Sequence, residues 1–239
     1  VPDDRIDGLA KIAGSLEIIP TQMEFVDIAG LVRGASKGEG LGNKFLSHIR
    51  QVDAIINVVR CFEDDNITHV EDGLDPIRDL ELIQLELIFA DLESLEKRLP
   101  NLEKKAKQDK ELLKQVNVIK EIVQLLKDAK PALAYEPKSE DETRIAKELQ
   151  LITSKQQLIV CNLGEDELAG NDFSKKVEEY GVQNGLRVLK ICAQIESEVA
   201  ILESEEERRE FLEAVGLEEA GLDGIIRNSY EILDLITFF

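Results

Sequence analysis

The chain has 239 residues, 43% hydrophobic and 33% charged, so a sizeable core is available and wholesale disorder is excluded. A net charge of −20 disfavours nonspecific nucleic-acid binding, and no direct DNA binding is expected. No apolar run approaches the ~18 residues of a membrane span, and the scattered Cys61, Cys161 and Cys192 read as buried thiols of a cytoplasmic protein.

In chain order, Met23–Val26 has strand character and ends in Asp27. The segment Asp27–Asn43 is rich in glycine, which lets backbone N–H groups approach an anion closely. Taken alone, it is either a phosphate-approaching loop or a surface loop between a strand and a helix. A helical pattern over Asn43–Gln51 precedes a second strand-like run, Ala54–Val59, that ends near Arg60 and Cys61.

From Pro76 the pattern is helical. An apolar seam runs through Ile88, Leu92, Leu95, Leu99 and Leu102, breaks around 107–110, and resumes at Leu112, Val116, Ile119, Val123 and Leu126. Two seams at spacings of four and three predict an antiparallel helical hairpin. The hairpin is read as an insertion over 80–129 that projects from a domain made of 1–79 and 130–239. Pro100 is expected to kink or interrupt its first helix.

A looser helical segment over 139–153 opens with a capping sequence at Ser139–Glu142. The third strand-like run, Gln157–Cys161, ends in Asn162, and a helical pattern follows over Asp172–Asn184. The fourth run, Leu186–Ile191, ends at Cys192 and Ala193. Amphipathic helices over Glu205–Leu217 and Leu222–Leu235 close the chain, punctuated by Gly216 and Gly221. Short apolar strands alternating with helices predict an α/β fold with a mainly parallel sheet, which binds ligands at the carboxyl ends of its strands. Asp27, Asn162 and Cys192–Ala193 all fall at such ends.

These strand-end motifs resemble those of a Ras-like G domain of the translation-factor type. Asp27-Ile28-Ala29-Gly30 resembles the DxxG motif of switch II. Asn162-Leu163-Gly164-Glu165 takes the place of NKxD, and Cys192-Ala193-Gln194 that of the base-contact loop. Alone, Asn162–Glu165 also reads as an ordinary strand-to-helix turn. The stretch Asp27–Asn43 resembles the Obg-related subgroup, and the segment from Arg60 to Val70 resembles one branch of it, the YchF family or Obg-like ATPases. The resemblance covers essentially the whole chain.

The resemblance implies a Ras-like α/β domain with a coiled-coil insertion, a preference for ATP, hydrolysis to ADP and phosphate with Mg2+, and association with the ribosome. It implies that Asp27 holds Mg2+ through water and that the Gly30 N–H senses the γ-phosphate. Asn162, Leu163, Glu165, Cys192 and Ala193 would bind the nucleotide. Leu31 stands where many relatives place a water-orienting Gln, and a Leu side chain cannot orient water by hydrogen bonding. His48 and His69 read as structural. One departure is plain: GxxxxGK[ST] occurs nowhere in these residues. The chain is therefore expected to be the middle of a longer enzyme, inactive by itself and lacking that loop and the C-terminal TGS domain. An Obg-type GTPase and a non-catalytic interaction fragment are the alternatives.

Overall fold

In the computed structural model, the described residues are 5–19, 21–28, 41–64, 73–107 and 109–236, with the side chains of 41–44 left out. Gly30, Leu31 and His69 lie outside them. Nine α-helices and three strands occur among the described residues. In order they are α1 (Arg5–Ala13), α2 (Leu41–Gln51), β1 (Ala54–Arg60), α3 (Pro76–Ala106), α4 (Lys110–Lys127), α5 (Glu140–Glu148), β2 (Gln156–Asn162), α6 (Asp172–Asn184), β3 (Arg187–Ile191), α7 (Ala193–Ile201), α8 (Glu205–Ala214) and α9 (Gly221–Ile232).

The strands form one sheet in the order β1-β2-β3. β2 and β3 are parallel, with Asn162 opposite Ile191. The N–H of Cys61, just past the end of β1, donates to the Asn162 carbonyl at 2.8 Å, so β1 ends beside the end of β2 and runs the same way. The α/β class with a parallel sheet and flanking helices is as expected. β2 is buried on both faces from Gln157 to Cys161, which is why it reads as a continuous apolar run. Residues 21–28 are different. They join no strand ladder, and Phe25 and Val26 are 46% and 45% exposed. Apolar, β-branched composition favours a strand only where a neighbour supplies backbone partners.

The chain divides into two compact units. The first comprises Val1–Asp27, Ile56–Pro76 and Gln157–Phe239, and the second Ile28–Ile55 and Ile77–Gln156. In the first, α6 ends where Gly185 turns to a φ of 66° and the Leu186 N–H reaches back to the Gly181 carbonyl at 2.8 Å, sending the chain into β3. Cys192, Ile195, Val199 and Leu212 form a smaller core between α7 and α8.

In the second unit the first seam and the later part of the second are buried together. Ile88 and Leu95 of α3 pack with Ile119, Ile122 and Leu126 of α4, and Ile145 of α5 and Leu149 just after it join that core. Glu96 pairs with Lys127 at 2.9 Å and Glu103 with Lys120 at 2.7 Å. Seven residues forward on α3 match seven backward on α4, so the helices are antiparallel. Of the two outcomes expected at Pro100, a kink or an interruption, the interruption does not occur: α3 is one helix from Pro76 to Ala106. Pro100 is on the exposed side, where water can take the carbonyl freed by the missing N–H, while Leu99 and Leu102 stay packed on the core. The inner part of α3 contributes Leu87 and Ala90 to a core with α2 residues Leu46 and Ile49 and with Ile152.

Asp91 on α3 is fully buried and occupied on both oxygens. It accepts from the Ile152 N–H at 3.0 Å, the Thr153 N–H at 2.8 Å and the Thr153 hydroxyl at 2.9 Å, with the Arg50 guanidinium 3.9 Å away. Burial nevertheless pushes its pKa up, against those donors. The carboxylate thus pins the short turn Ile152–Ser154 that feeds β2.

Candidate nucleotide-binding site

The site is built at the carboxyl ends of the three strands. Asn162 is central to it. Its carbonyl accepts from Cys61 on one side, and its Oδ1 accepts from the Ala193 N–H at 2.9 Å on the other. Beyond it, the Leu163 N–H donates to the Ile191 carbonyl at 2.8 Å. The Leu163 side chain is 2% exposed, so what this residue can offer a ligand is its carbonyl oxygen. Four of the five nucleotide-binding candidates, Asn162, Leu163, Cys192 and Ala193, are therefore joined by hydrogen bonds or adjacent in the chain. The fifth, Glu165, is exposed and opens a short 3-10 turn, Glu165–Glu167.

Cys192 is buried and precedes α7 without capping it by its side chain. Its thiol belongs to the core. All three cysteines are buried and free. The hydrogen bond to Cys61, with burial, pushes the Cys161 thiol up, so this sulfur is unreactive packing.

The loop after β1 is held by its own residues. The Arg60 guanidinium donates to the Phe62 carbonyl at 2.9 Å and the Asp64 carbonyl at 3.1 Å, and stands 5.1 Å from the Phe62 ring centre. Asn171, which the sequence reading passed over, caps α6 through Ser174 and also donates to the Cys61 carbonyl at 2.5 Å and to Glu167 at 2.8 Å. A cleft of about 710 Å3 opens between these loops, with Phe62, Gly164, Glu165, Asn171 and Phe173 among its walls. An Asn just before a helical run was the available signal for Asn171.

Asp27 is exposed, with no hydrogen-bond or ion-pair partner among the described residues. A free carboxylate suits a magnesium ion held mainly by phosphates and water. No cluster of three or more metal-ligating side chains occurs among the described residues. His48 is exposed on α2.

A family model described as "50S ribosome-binding GTPase" matches residues 9–90. The chain is 49% identical over its whole length to the "Ribosome-binding ATPase YchF" of Bacillus subtilis, and 45% identical to the protein of the same name from Haemophilus influenzae. It spans 66% of each of these relatives. A solved structure titled as the YchF GTPase of Schizosaccharomyces pombe superposes with a TM-score of 0.83 at 33% identity, covering 98% of this chain and 64% of that one. This chain belongs to the YchF family. The family is one of nucleotide-binding P-loop NTPases. No helix among the described residues is long and apolar enough to cross a membrane.

Proposed function

We propose that this chain is the base-reading and switch portion of a cytoplasmic, ribosome-associated ATPase that hydrolyses ATP to ADP and phosphate with Mg2+. The observation that carries the choice of ATP is the commitment of the Leu163 N–H to the Ile191 carbonyl. The Leu163 carbonyl remains as an acceptor. Adenine offers an amino donor at C6, whereas guanine offers an oxygen that such a carbonyl would repel. The carboxylate that reads guanine in NKxD is replaced by the longer Glu165, and the Lys by Leu163.

Asn162 holds Ala193, and so the loop on the other side of the base, in place. Bound magnesium would supply charge neutralisation for the transferring phosphoryl group. Asp27 would hold it through water, the Gly30 N–H would sense the γ-phosphate, and Gly34–Gly42 would move when that phosphate leaves. Leu31 offers no hydrogen bond to the attacking water, so hydrolysis is slow without a partner. The helical hairpin over 80–129 is read as an insertion available for docking.

The test is nucleotide titration of the full-length protein. ATP is expected to bind at least tenfold tighter than GTP, and tenfold tighter than a purine triphosphate lacking the 6-amino group. Equal affinities would reject the adenine reading. The GTPase wording of the S. pombe structure's title favours the second reading, an Obg-type GTPase. The missing GxxxxGK[ST] favours a third, a non-catalytic interaction module for the 239 residues themselves. Phosphate release from ATP by those residues alone would exclude it.

A further inference from the structure

We propose that Asn171 is a positioning residue for the purine: its amide clamps the loop after β1 to the loop after β2 and so sets the width of the cleft between them. The inference rests on the reading above that this end of the sheet takes the nucleotide base. Cys61 leads the first loop, and both polar groups of its backbone are committed. Its N–H donates to the Asn162 carbonyl at 2.8 Å, and its carbonyl accepts from Asn171 Nδ2 at 2.5 Å. The same amide nitrogen donates to Glu167 Oε2 at 2.8 Å. Glu167 belongs to the second loop, where its N–H donates to the Gly164 carbonyl at 3.1 Å. On the other side, Asn171 Oδ1 accepts from the Ser174 N–H at 2.9 Å, and the Asn171 N–H donates to the Ser174 hydroxyl at 2.9 Å. One residue thus joins both loops to the start of α6.

Capping α6 needs only an acceptor, which Ser or Asp supplies as well as Asn. The donor half of the amide is what the clamp adds, and both of its hydrogens have an acceptor. With the amide turned over, an oxygen would face a carbonyl and a carboxylate, so the partners fix its orientation. The walls it holds are close together. A Cβ added at Gly164 would stand 3.6 Å from Phe62 Cβ, and the cleft of about 710 Å3 opens beside this contact. Each wall is also held from within. Arg60 bonds the Phe62 and Asp64 carbonyls of the first loop. In the second, Gly170 takes a φ of 107° and donates its N–H to the Glu167 carbonyl at 2.7 Å, which turns the chain into Asn171. A base that enters walls already in place loses little affinity to ordering them. Releasing the clamp lets the walls part and weakens the purine, while the groups assigned to the phosphates, Asp27 and Gly30, are on another segment.

The experiment uses the full-length protein. It titrates Mg2+-ATP, Mg2+-GTP and Mg2+-tripolyphosphate, which has the phosphates and no base, and measures KM and kcat for ATP hydrolysis. Asn171→Asp keeps the acceptor for Ser174 but sets a carboxylate against the Cys61 carbonyl and Glu167. Asn171→Ser keeps a capping hydroxyl without the donor amide or the added charge, and carries the test if the Asp variant fails to fold. The KM for ATP is expected to rise about tenfold in either variant, with kcat within about twofold of wild type and tripolyphosphate affinity unchanged. Unchanged ATP affinity, equal losses for ATP and tripolyphosphate, or a fall in kcat at unchanged KM overturns the proposal. Wild type that binds ATP and GTP equally sinks the adenine reading, and a loss of both purines in the variants then still supports the clamp. Wild type that prefers ATP, with variants that bind it as well, sinks the clamp alone.

Discussion

The Oδ1 of Asn162 accepts the N–H of Ala193 at 2.9 Å, so the end of β2 fixes the start of α7. The same residue's carbonyl holds the chain after β1. One side chain and one peptide group therefore keep three strand ends in step, and the ligand-facing loops inherit that alignment.

Asn162→Ala removes the acceptor and leaves the Ala193 N–H to water. Such a bond contributes about 1 kcal/mol, so nucleotide affinity measured by titration should fall about five- to tenfold. Asn162→Asp keeps an acceptor and should retain the fold. An Ala variant with unaltered affinity would separate the loop from the base site.

Asp91→Asn should destabilise by about 2–3 kcal/mol, because the amide points a donor at groups that already donate. The pH dependence has a definite sign. Burial raises the folded-state pKa above the ordinary value of 3.8, so the native state holds the proton longer than the unfolded chain. Stability from this group is full below that ordinary value and is lost as pH rises through the raised folded value. Denaturant midpoints across the acidic range should show this fall in wild type and lack it in the variant.

Leu95→Ala or Ile119→Ala opens a cavity where α3 meets α4, since both side chains are fully buried. The expected cost is about 2–5 kcal/mol. Removing the exposed pair Glu103–Lys120 should cost less than about 1 kcal/mol. Thermal melts of the three variants check this ranking.

Gly221→Ala tests the join between α7 and α9. A Cβ there would stand 2.6 Å from Ile191 Cγ2 and 2.8 Å from Glu196 Oε1. The Glu196 carboxylate accepts from the Gly221 and Leu222 N–H groups at 2.6 and 3.1 Å, and so caps α9 from α7. Overpacking of this kind costs about 1–3 kcal/mol, measurable as a lower denaturation midpoint.

The periodic elements were the legible ones. Gln157–Cys161 as read differs from Gln156–Asn162 as found by one residue at each end. The first seam and the Ile119, Val123 and Leu126 part of the second lie in one core, which also takes in Val118 and Ile122, residues outside the seam as read. Helix α7 was missed because Ile195, Val199 and Ile201 are β-branched and the helix has no capping side chain to announce it. Helix α1 was also passed over, although Ile6, Leu9, Ala10 and Ala13 share one face of it; that face is buried nowhere among the described residues. The motif residues were visible at strand ends, but the bonds that join them were not. That Asn162 reaches Ala193, or Asn171 reaches Cys61, depends on which strands become neighbours. The apolar run Met23–Val26 shows the converse, since it joins no strand ladder among the described residues and composition alone cannot supply one.

The two cross-helix ion pairs also set a rule for editing the hairpin. The residue numbers of Glu96 and Lys127, and those of Glu103 and Lys120, have the same sum. Adding seven residues to each arm would keep both the apolar stripes and the order of the ion pairs in register. A one-residue insertion in a single arm would turn its apolar stripe off that of its neighbour. One added heptad would lengthen the reach of the hairpin by about 10 Å.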